Sequence, residues 1–339
     1  MALLVALVSL ACRQGSGEAV ADGAEAAGSA ASAGASVADS IAIVEYPIPR
    51  EDAFPHDPAV SADGIVWYTD QRNSFIGRLD PGTGEFRDWS TPTPASGPHG
   101  ITVAPDGAVW YTGNAAGRLG RLDPTTGEIR EFPTPGARDP HTLVVHDGMV
   151  WFTVQQGNAI GRLDPATGNV DVWPVEVEGA RPYGIVPAPD GSLWVALFGT
   201  NGLLRIDPAG PTFDRVELPD PASRPRRLVV DGDGIVWYTD YPRGKLGRHD
   251  PGTGSFEEFD TATPEGQPYG IAIGSDGRLW YGEASSGLMV AFDPATRVQE
   301  TARIPTPNAI VRHMVTDSAR GRVWLALSGT GRIGRIDVQ

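Results

Sequence analysis

The stretch at residues 99–135, HGITVAPDGAVWYTGNAAGRLGRLDPTTGEIREFPTP, contains four short apolar segments separated by turns rich in Gly, Pro and Asp. Its tryptophan recurs at steps of 41 to 44 residues, at Trp67, Trp110, Trp151, Trp194, Trp237, Trp280 and Trp324. Four strands per repeat at this period are typical of a β-propeller blade. The sequence therefore predicts an all-β fold, a seven-bladed β-propeller of four-stranded antiparallel blades.

The last repeat, around Trp324, has three predicted strands before the sequence stops at Gln339. The missing strand has a counterpart near the other terminus, because residues 43–49 (IVEYPIP) read like the fourth strand at residues 129–135 (IREFPTP). We therefore expect the N-terminal strand to complete the last blade, which removes exposed strand edges. The predicted propeller spans residues 42–339.

Charge and hydropathy exclude several classes of partner. The net charge is −15 and no run of Lys or Arg is present, which argues against nucleic acid and against electrostatic binding to anionic lipid. No segment beyond the N-terminus is long and apolar enough to span a bilayer. We expect a monomer that binds a small molecule or a peptide at the mouth of its channel.

The N-terminus has the composition of an export signal followed by a tether. Residues 1–12, MALLVALVSLAC, are apolar and end at Cys12, the single cysteine of the chain. The segment resembles a bacterial lipoprotein signal, which implies lipidation of Cys12; a cleaved signal or a misassigned start is the alternative. Residues 13–41 are nearly all Gly, Ala, Ser, Asp and Glu, so we expect a disordered tether. Together they predict an exported, cell-envelope lipoprotein that touches the membrane only through its lipid anchor.

One repeat position carries only His, Tyr or Arg. It lies ten or eleven residues before each Trp, where the chain enters the first strand of a blade and opens on one end of the channel. We call its occupants the mouth residues: His56, His99, His141, Tyr183, Arg226, Tyr269 and His313. Such groups serve as acids, bases, metal ligands or stabilisers of negative charge. We interpret them as a candidate site, with hydrogen-bonded capping of the channel as the alternative.

The remaining charged positions and histidines receive structural interpretations. Asp70, Asp240 and Glu283 end second strands, and each is expected to be solvated or to terminate its strand. His146 and His249 are expected to be solvated. Six third strands carry an arginine, for which a repeated ion pair is predicted: Arg78, Arg121, Arg162, Arg205, Arg248 and Arg335.

With these motifs in view, residues 42–339 resemble the streptogramin B (virginiamycin B) lyase family. The resemblance rests on Gly-Pro-His-Gly-Ile at 97–101, Asp-Gly-x-Val-Trp-Tyr-Thr, Leu-Gly-Arg-Leu at 119–122 and Glu-Phe-Pro-Thr-Pro at 131–135. It implies a carbon–oxygen lyase that opens the ester of a cyclic depsipeptide by Mg²⁺-assisted elimination, using His and Glu at the channel mouth.

The resemblance can be carried onto the chain in two registers. Blade for blade, it implies Tyr269, His313 and His56, but Val311 and Ser328 stand where two glutamates are implied. Rotated round the ring, it implies a catalytic set in which His141 acts on proton transfers, Asp139 holds Mg²⁺ or orients that imidazole, and His99 and Tyr183 position the ester. In this rotated register Gln155 replaces the second glutamate, and Gln155 and Arg226 are candidate substrate-binding residues.

Two other functions remain open on the same scaffold. One is a lipoprotein propeller that binds a ligand or a protein without catalysis, which the missing glutamates favour. The other is a metal-dependent hydrolase or lactonase, which the blade count disfavours.

Overall fold

The computed structural model describes residues 36–37 and 41–338 of the 339-residue chain. The expectations for Cys12, for segment 1–12 and for the tether at 13–41 fall outside these residues, apart from 36–37 and 41. Within the described part, no helix has the length and apolarity needed to cross a membrane.

Seven antiparallel sheets follow one another along the chain. Two strands, β1 (Ser36–Val37) and β2 (Ile43–Pro47), precede the repeats. The first strands are β3 (Pro55–Val60), β7 (Pro98–Val103), β11 (Pro140–His146), β15 (Pro182–Pro187), β19 (Pro225–Val230), β23 (Pro268–Ile273) and β27 (Val311–Asp317). The second strands are β4 (Val66–Asp70), β8 (Val109–Gly113), β12 (Met149–Val154), β16 (Leu193–Leu197), β20 (Val236–Asp240), β24 (Leu279–Glu283) and β28 (Arg322–Leu327).

The outer half of each blade completes the sheet. The third strands are β5 (Phe75–Leu79), β9 (Arg118–Leu122), β13 (Ala159–Leu163), β17 (Gly202–Asp207), β21 (Lys245–Asp250), β25 (Leu288–Phe292) and β29 (Arg332–Asp337). The fourth strands are β6 (Phe86–Ser90), β10 (Ile129–Pro133), β14 (Val170–Pro174), β18 (Thr212–Glu217), β22 (Ser255–Asp260) and β26 (Gln299–Arg303). Blades are numbered one to seven from β3, and two short 3₁₀ turns, Asn114–Ala116 and Ser318–Arg320, interrupt the loops.

The predicted closure of the ring is confirmed. Strand β2 pairs antiparallel with β29, in register from Ile43 opposite Ile336 to Pro47 opposite Arg332, and so supplies the fourth strand of blade seven. The Tyr46 ring lies 5.8 Å from that of the blade's core tryptophan. Strand β2, near the N-terminal end of the described part, and β29, its last strand, are thus neighbours in one sheet.

A fifth strand on blade six was not predicted. Strand β1 pairs parallel with β26, with Ser36 opposite Glu300 and Val37 opposite Thr301. Composition alone gave no sign of it, because a two-residue pairing depends on the backbone and not on a hydrophobic pattern.

The recurring tryptophans form the core between blades and sit opposite the recurring arginines. Each Trp of a second strand is at most 3% exposed, and in six blades it lies directly across the sheet from the third-strand Arg, as Trp67 does from Arg78. The predicted ion pairs are confirmed: Arg78–Asp80, Arg121–Asp106, Arg162–Asp171, Arg205–Asp190, Arg248–Glu257 and Arg335–Asp337. Most of these carboxylates are exposed, so each pair contributes little to stability.

An aromatic ring in the second strand packs against the third strand and requires glycine there. A Cβ on Gly77 would lie 2.0 Å from the Tyr68 ring, and the same holds for Gly120 beneath Tyr111. The Gly of the Leu-Gly-Arg-Leu motif is therefore set by ring packing.

The expectation that His249 is solvated is wrong. It is 4% exposed, stacks on Phe256 at 4.4 Å between ring centroids and meets Trp194 edge-on at 5.7 Å. Strand alternation turns its ring into the space between blades, even though its neighbour Asp250 faces the solvent turn.

Candidate functional site

The mouth residues are positioned at one end of the channel by a repeated threonine. Thr69 of blade one donates its hydroxyl to the backbone carbonyl of His99 in blade two at 2.7 Å. The same oxygen accepts the backbone N–H of Asp57 in its own blade at 3.1 Å. Blades two, three and five repeat the arrangement with Thr112, Thr153 and Thr239. Each threonine thereby links the first strand of its own blade to the mouth residue of the following blade. The link lies where the register of that first strand shifts.

Four mouth residues from blades one to four form a row of stacked rings. The ring centroids of His56 and His99 are 3.7 Å apart, those of His99 and His141 are 3.8 Å apart, and those of His141 and Tyr183 are 4.1 Å apart. All four residues are only 2 to 4% exposed. The row joins residues of both registers, since His56 belongs to one and the other three to the rotated set.

Tyr183 links the row to the opposite side of the channel. Its hydroxyl lies 2.7 Å from that of Tyr269, two blades away. Arg226 donates from Nη2 to the Tyr183 oxygen at 3.2 Å, and Arg312 donates from Nη1 to the Tyr269 oxygen at 3.4 Å. The structure therefore brings the mouth residues of both registers into one cluster and does not separate them.

A buried ion pair crosses the channel beneath the rings. Arg227 of blade five donates from Nη2 to both oxygens of Asp57 in blade one, at 2.9 and 3.1 Å, and from Nη1 to Thr142 of blade three at 3.2 Å. The side chains of Arg227 and Asp57 are only 2% and 1% exposed. Asp57 also lies 2.8 Å from Nδ1 of His56. An ionised carboxylate accepts there, so His56 carries its proton on Nδ1 and presents the lone pair on Nε2.

The ionisation of this cluster follows from burial and from the arginines. Burial by itself would raise the pKa of Asp57, but Arg227, His313 and the hydrogen bond from His56 outweigh it and hold that pKa well below its usual range. Burial lowers the pKa of His56 to about 4, against the opposing effect of Asp57. Burial and the Arg227 charge lower the pKa of His313 to about 3.

The two central imidazoles are shifted in the same direction. Burial, followed by the neighbouring imidazoles, lowers the pKa of His99 well below its ordinary value. Burial and the Arg227 charge do the same for His141. All four histidines of the mouth are therefore neutral near pH 7, able to accept or donate a hydrogen bond but not to carry a charge.

We expect the stability of the protein to fall in mild acid. Between about pH 6.5 and pH 4 the unfolded chain protonates these histidines while the folded chain does not, so the unfolded state binds more protons and the free energy of unfolding decreases as the pH falls. Urea denaturation at several pH values across this interval measures the slope. A His99→Gln variant should show a shallower slope than the parent, because it removes one of the histidines with a lowered pKa. A slope of zero in the parent would contradict the assignment.

The predicted acidic residues are engaged in loop structure. Asp139 accepts hydrogen bonds from the backbone N–H groups of Gln156 and Gly157, the latter at 3.0 Å, and so fixes the turn after β12. The hydrogen-bond partner of His141 Nδ1 is Thr142 Oγ1, at 3.1 Å. Gln155 begins the turn that Asp139 fixes and is partly exposed.

The carboxylates at the ends of second strands anchor the loops that lead into the first strands. Asp70 accepts from the backbone N–H of Phe54, Asp240 from that of Arg224 and Glu283 from that of Thr263. This agrees with the strand-terminating role predicted for them.

Two arginine roles were not predicted from the sequence, nor were the rings around Arg226. Arg227 and Arg312 stand directly beside mouth residues, one after and one before, and were not singled out. Their signal was charge inside a first strand, at positions where several other blades carry glycine or proline. The two positions where the resemblance implies glutamates hold Val311 and Ser328. Val311 is apolar and 2% exposed, and the Ser328 hydroxyl accepts a hydrogen bond from Nε of Arg312 at 2.9 Å.

A set of potential metal ligands exists but does not suit Mg²⁺. His56, Asp57 and His99 each offer a ligand atom, and all of these lie within 4.8 Å of one another. Mg²⁺ prefers oxygen ligands in octahedral geometry, whereas two of these groups are imidazoles. The one carboxylate is already paired with Arg227, whose charge repels a cation at the same place. Asp139, predicted as a metal ligand, lies outside this set and fixes its turn.

One cleft lies away from the mouth residues. It has a volume of about 570 Å³ and is bounded by the turns between first and second strands of blades one and two, including Asp63 and Asp106. A smaller cavity of about 200 Å³ lies within the channel itself, lined by Asp57, Thr142, His313 and mainly aliphatic residues of five first strands. We assign the site to the channel cavity, because Asp57 and His313, whose pKa values are both lowered, line it beside the mouth residues.

The sequence model of the Virginiamycin B lyase family matches residues 29–253 and 174–339. The chain belongs to the virginiamycin B lyase family. The two overlapping matches cover the described propeller from end to end, which agrees with the resemblance seen in the motifs of the repeat. A search of curated proteins finds no match to this chain.

Solved structures of the family share the fold. The selenomethionine-substituted virginiamycin B lyase from Staphylococcus aureus aligns with a TM-score of 0.82 at 26% identity, over 88% of this chain and 100% of that one. A streptogramin B lyase structure gives the same score and identity over 88% and 98%. A catalytically inactive His-to-Ala variant of the S. aureus enzyme with quinupristin also aligns at 0.82 and 26%, over 88% and 100%.

Proposed function

We propose that this protein is a carbon–oxygen lyase that opens the ester of a cyclic depsipeptide by elimination, with His56 as the base. The observation that carries the proposal is the arrangement of His56, Asp57 and Arg227 at the channel mouth. Asp57 fixes the imidazole in the tautomer that leaves Nε2 free to take a proton. Arg227 acts through Asp57 as a positioning residue, because it holds the carboxylate ionised and oriented.

The proposed step balances without water, oxidant or reductant. His56 Nε2 takes a proton from the carbon next to the one that bears the ester oxygen, and the C–H electrons form a carbon–carbon double bond. The C–O bond breaks with its electron pair on oxygen, which leaves as a carboxylate. The N–H groups of His99 and His141, neutral at this depth, can orient the ester by hydrogen bonding.

Membership of the family supports the reaction class. The potential metal ligands of this chain, however, do not suit the Mg²⁺ that the resemblance implies. The relative solved with quinupristin is described as inactive after a histidine was replaced by alanine, which supports a histidine-dependent reaction on this propeller. Because the described ligand set does not suit Mg²⁺, no step of the proposed elimination uses a metal. Turnover should therefore persist in the presence of a chelator.

We expect the purified chain to linearise a streptogramin B-type cyclic depsipeptide in the presence of EDTA. Elimination leaves the product mass equal to that of the substrate, whereas hydrolysis adds one water, so mass spectrometry separates a lyase from a hydrolase or lactonase. His56→Ala should lower the rate by roughly 10² to 10⁴. Since the pKa of His56 is lowered to about 4, the parent's kcat/KM should fall on the acid side only as the pH approaches that value.

The matched control is His146→Ala, the same residue type at the far end of a first strand. Asp139→Ala should also retain turnover, because Asp139 fixes a loop. An unchanged rate in His56→Ala, or turnover abolished by EDTA, would show that the base or the metal has been assigned wrongly.

A second candidate is ligand binding without turnover. The observation that favours it is the packing of the ring row, in which centroids are 3.7 to 4.1 Å apart and each residue is at most 4% exposed. Such packing leaves little of each imidazole accessible to a large substrate. Binding of the depsipeptide with no linear product would support this candidate and exclude the lyase.

A further inference from the structure

We propose that Arg226, Arg312 and the hydroxyl of Tyr269 form an oxyanion site that binds the carboxylate group of a small ligand. The site lies in blades five to seven of the channel mouth, and blade seven adjoins blade one, which carries His56. It is a binding site in its own right and requires no turnover.

The first argument is charge. The channel mouth holds three guanidinium groups, of Arg226, Arg227 and Arg312, and Asp57 neutralises only Arg227. Within the described residues, neither Arg226 nor Arg312 has a carboxylate within 4.0 Å; their hydrogen bonds go to the hydroxyls of Tyr183, Tyr269 and Ser328. Two partly buried cations thus lack a counter-ion, although the chain as a whole has a net charge of −15. A bound anion would offset the cost of that arrangement.

The second argument is that Arg226 is held in place without being neutralised. Its guanidinium carbon lies 3.7 Å from the ring centroid of Tyr269, 4.5 Å from that of Tyr241 and 4.9 Å from those of Tyr183 and Phe198. Ring faces attract a cation and fix its position, but they carry no net charge. Its Nε is buried and has no hydrogen-bond partner. The cage therefore orients a guanidinium whose charge remains available.

The third argument is the set of donors gathered around Tyr269. Arg312 donates to its hydroxyl at 3.4 Å, and Arg226 lies over its ring, with the guanidinium carbon 3.7 Å from the centroid. The Tyr269 hydroxyl also shares a hydrogen bond of 2.7 Å with that of Tyr183, in which either hydroxyl can donate. Burial would raise the pKa of Tyr269, but Arg226, Arg312 and Arg227 outweigh it and lower that pKa, which makes this hydroxyl a stronger donor. One hydroxyl and two guanidinium groups therefore lie together, which is the donor set that binds a carboxylate.

The site also has a place in the elimination proposed above, because the group that leaves in that reaction is a carboxylate. That part of the inference rests on the proposed function. Acetate binding does not rest on the proposed function. A protein that binds acetate but never linearises a depsipeptide would support this site and contradict the lyase activity.

The test uses acetate as the probe, in thermal shift and isothermal titration at constant ionic strength set with sodium chloride. Acetate should raise the Tm saturably, since a ligand that binds only the folded state stabilises it. Arg312→Gln and Arg226→Gln should each weaken acetate binding by roughly 10- to 100-fold, the loss expected for one charged hydrogen bond. Without acetate, both variants should be at least as stable as the parent, because an unpaired charge has been removed.

The matched control is Arg205→Gln, an arginine whose carboxylate partner Asp190 is exposed; it should bind acetate as the parent does. Where an arginine variant fails to fold, Tyr269→Phe keeps the ring beneath Arg226 and removes one donor, and it should bind more weakly. Equal Tm values in acetate and chloride, or parental affinity in all three site variants, would overturn the proposal. Stabilisation by inorganic phosphate but not by acetate would overturn the assignment to a carboxylate.

Discussion

Removal of residues 42–49 should unfold the whole ring and not merely fray its edge. These residues supply β2, the fourth strand of blade seven, whose loss exposes Ile333 and Trp324, both fully buried. Truncating one core aromatic costs roughly 3 to 5 kcal/mol, and here a complete strand is lost as well. Circular dichroism during heating should show the cooperative transition strongly lowered or absent.

A point variant in the same strand provides the control. Val44 is 37% exposed and faces solvent, so Val44→Ala should leave the Tm nearly unchanged. Glu45, by contrast, accepts hydrogen bonds from Thr306 in the loop between β26 and β27. Glu45→Ala should therefore lower the Tm measurably. A deletion variant that melts at the parental temperature would mean that β2 does not close the ring in solution.

The second large effect should come from the ion pair that crosses the channel. Arg227→Met leaves Asp57 as an unpaired charge that is 1% exposed, and breaking such a pair costs roughly 3 to 5 kcal/mol. Asp57→Asn should be destabilising for the reciprocal reason. The combined variant Asp57→Asn/Arg227→Met should be more stable than the sum of the two losses predicts, because no unpaired charge remains. Urea denaturation of all four proteins gives the coupling energy.

An exposed pair of the same chemistry is the control for this cycle. Arg205→Met removes the partner of Asp190 in a pair whose side chains are 37% and 55% exposed, and it should cost less than about 1 kcal/mol. Equal losses in Arg227→Met and Arg205→Met would show that the buried pair is solvated or that Asp57 is already protonated.

The fold could be derived from the sequence because its determinants are local and repeated. Each recurring Trp marks a second strand, so the seven of them give the number of blades directly. The closing strand was found by its likeness to residues 129–135. The mouth residues were found because their position, ten or eleven residues before the Trp, has no apolar occupant in any blade.

The site was only partly predictable, because its contacts run across the ring. Arg227 and Asp57 are 170 positions apart, and the repeat pattern shows which blade a residue occupies but not how far its side chain reaches over the channel. The two registers implied two separate sets of catalytic residues. In the structure, the hydroxyls of Tyr183, from the rotated register, and Tyr269, from the blade-for-blade register, lie 2.7 Å apart because the channel is narrow. The resemblance implied that Asp139 holds Mg²⁺ or orients His141, and the sequence could not show that its carboxylate accepts hydrogen bonds from the backbone N–H groups of Gln156 and Gly157.

The pairing of β2 with β29 also has a consequence in time. During synthesis β2 leaves the ribosome before the strands of blade one, and its partner β29 emerges only after those of the other six blades, so the hydrogen bond from Arg335 to the Tyr46 hydroxyl joins residues 289 positions apart. Blades one to six can form in order as they emerge, but the seventh must wait until β29 is available. Closing so long a loop is a slow step because its entropic cost comes before any contact is gained. Until that step, β2 and the outer edge of β29 stay unpaired, and the nascent protein depends on its surroundings to keep them from pairing with other chains.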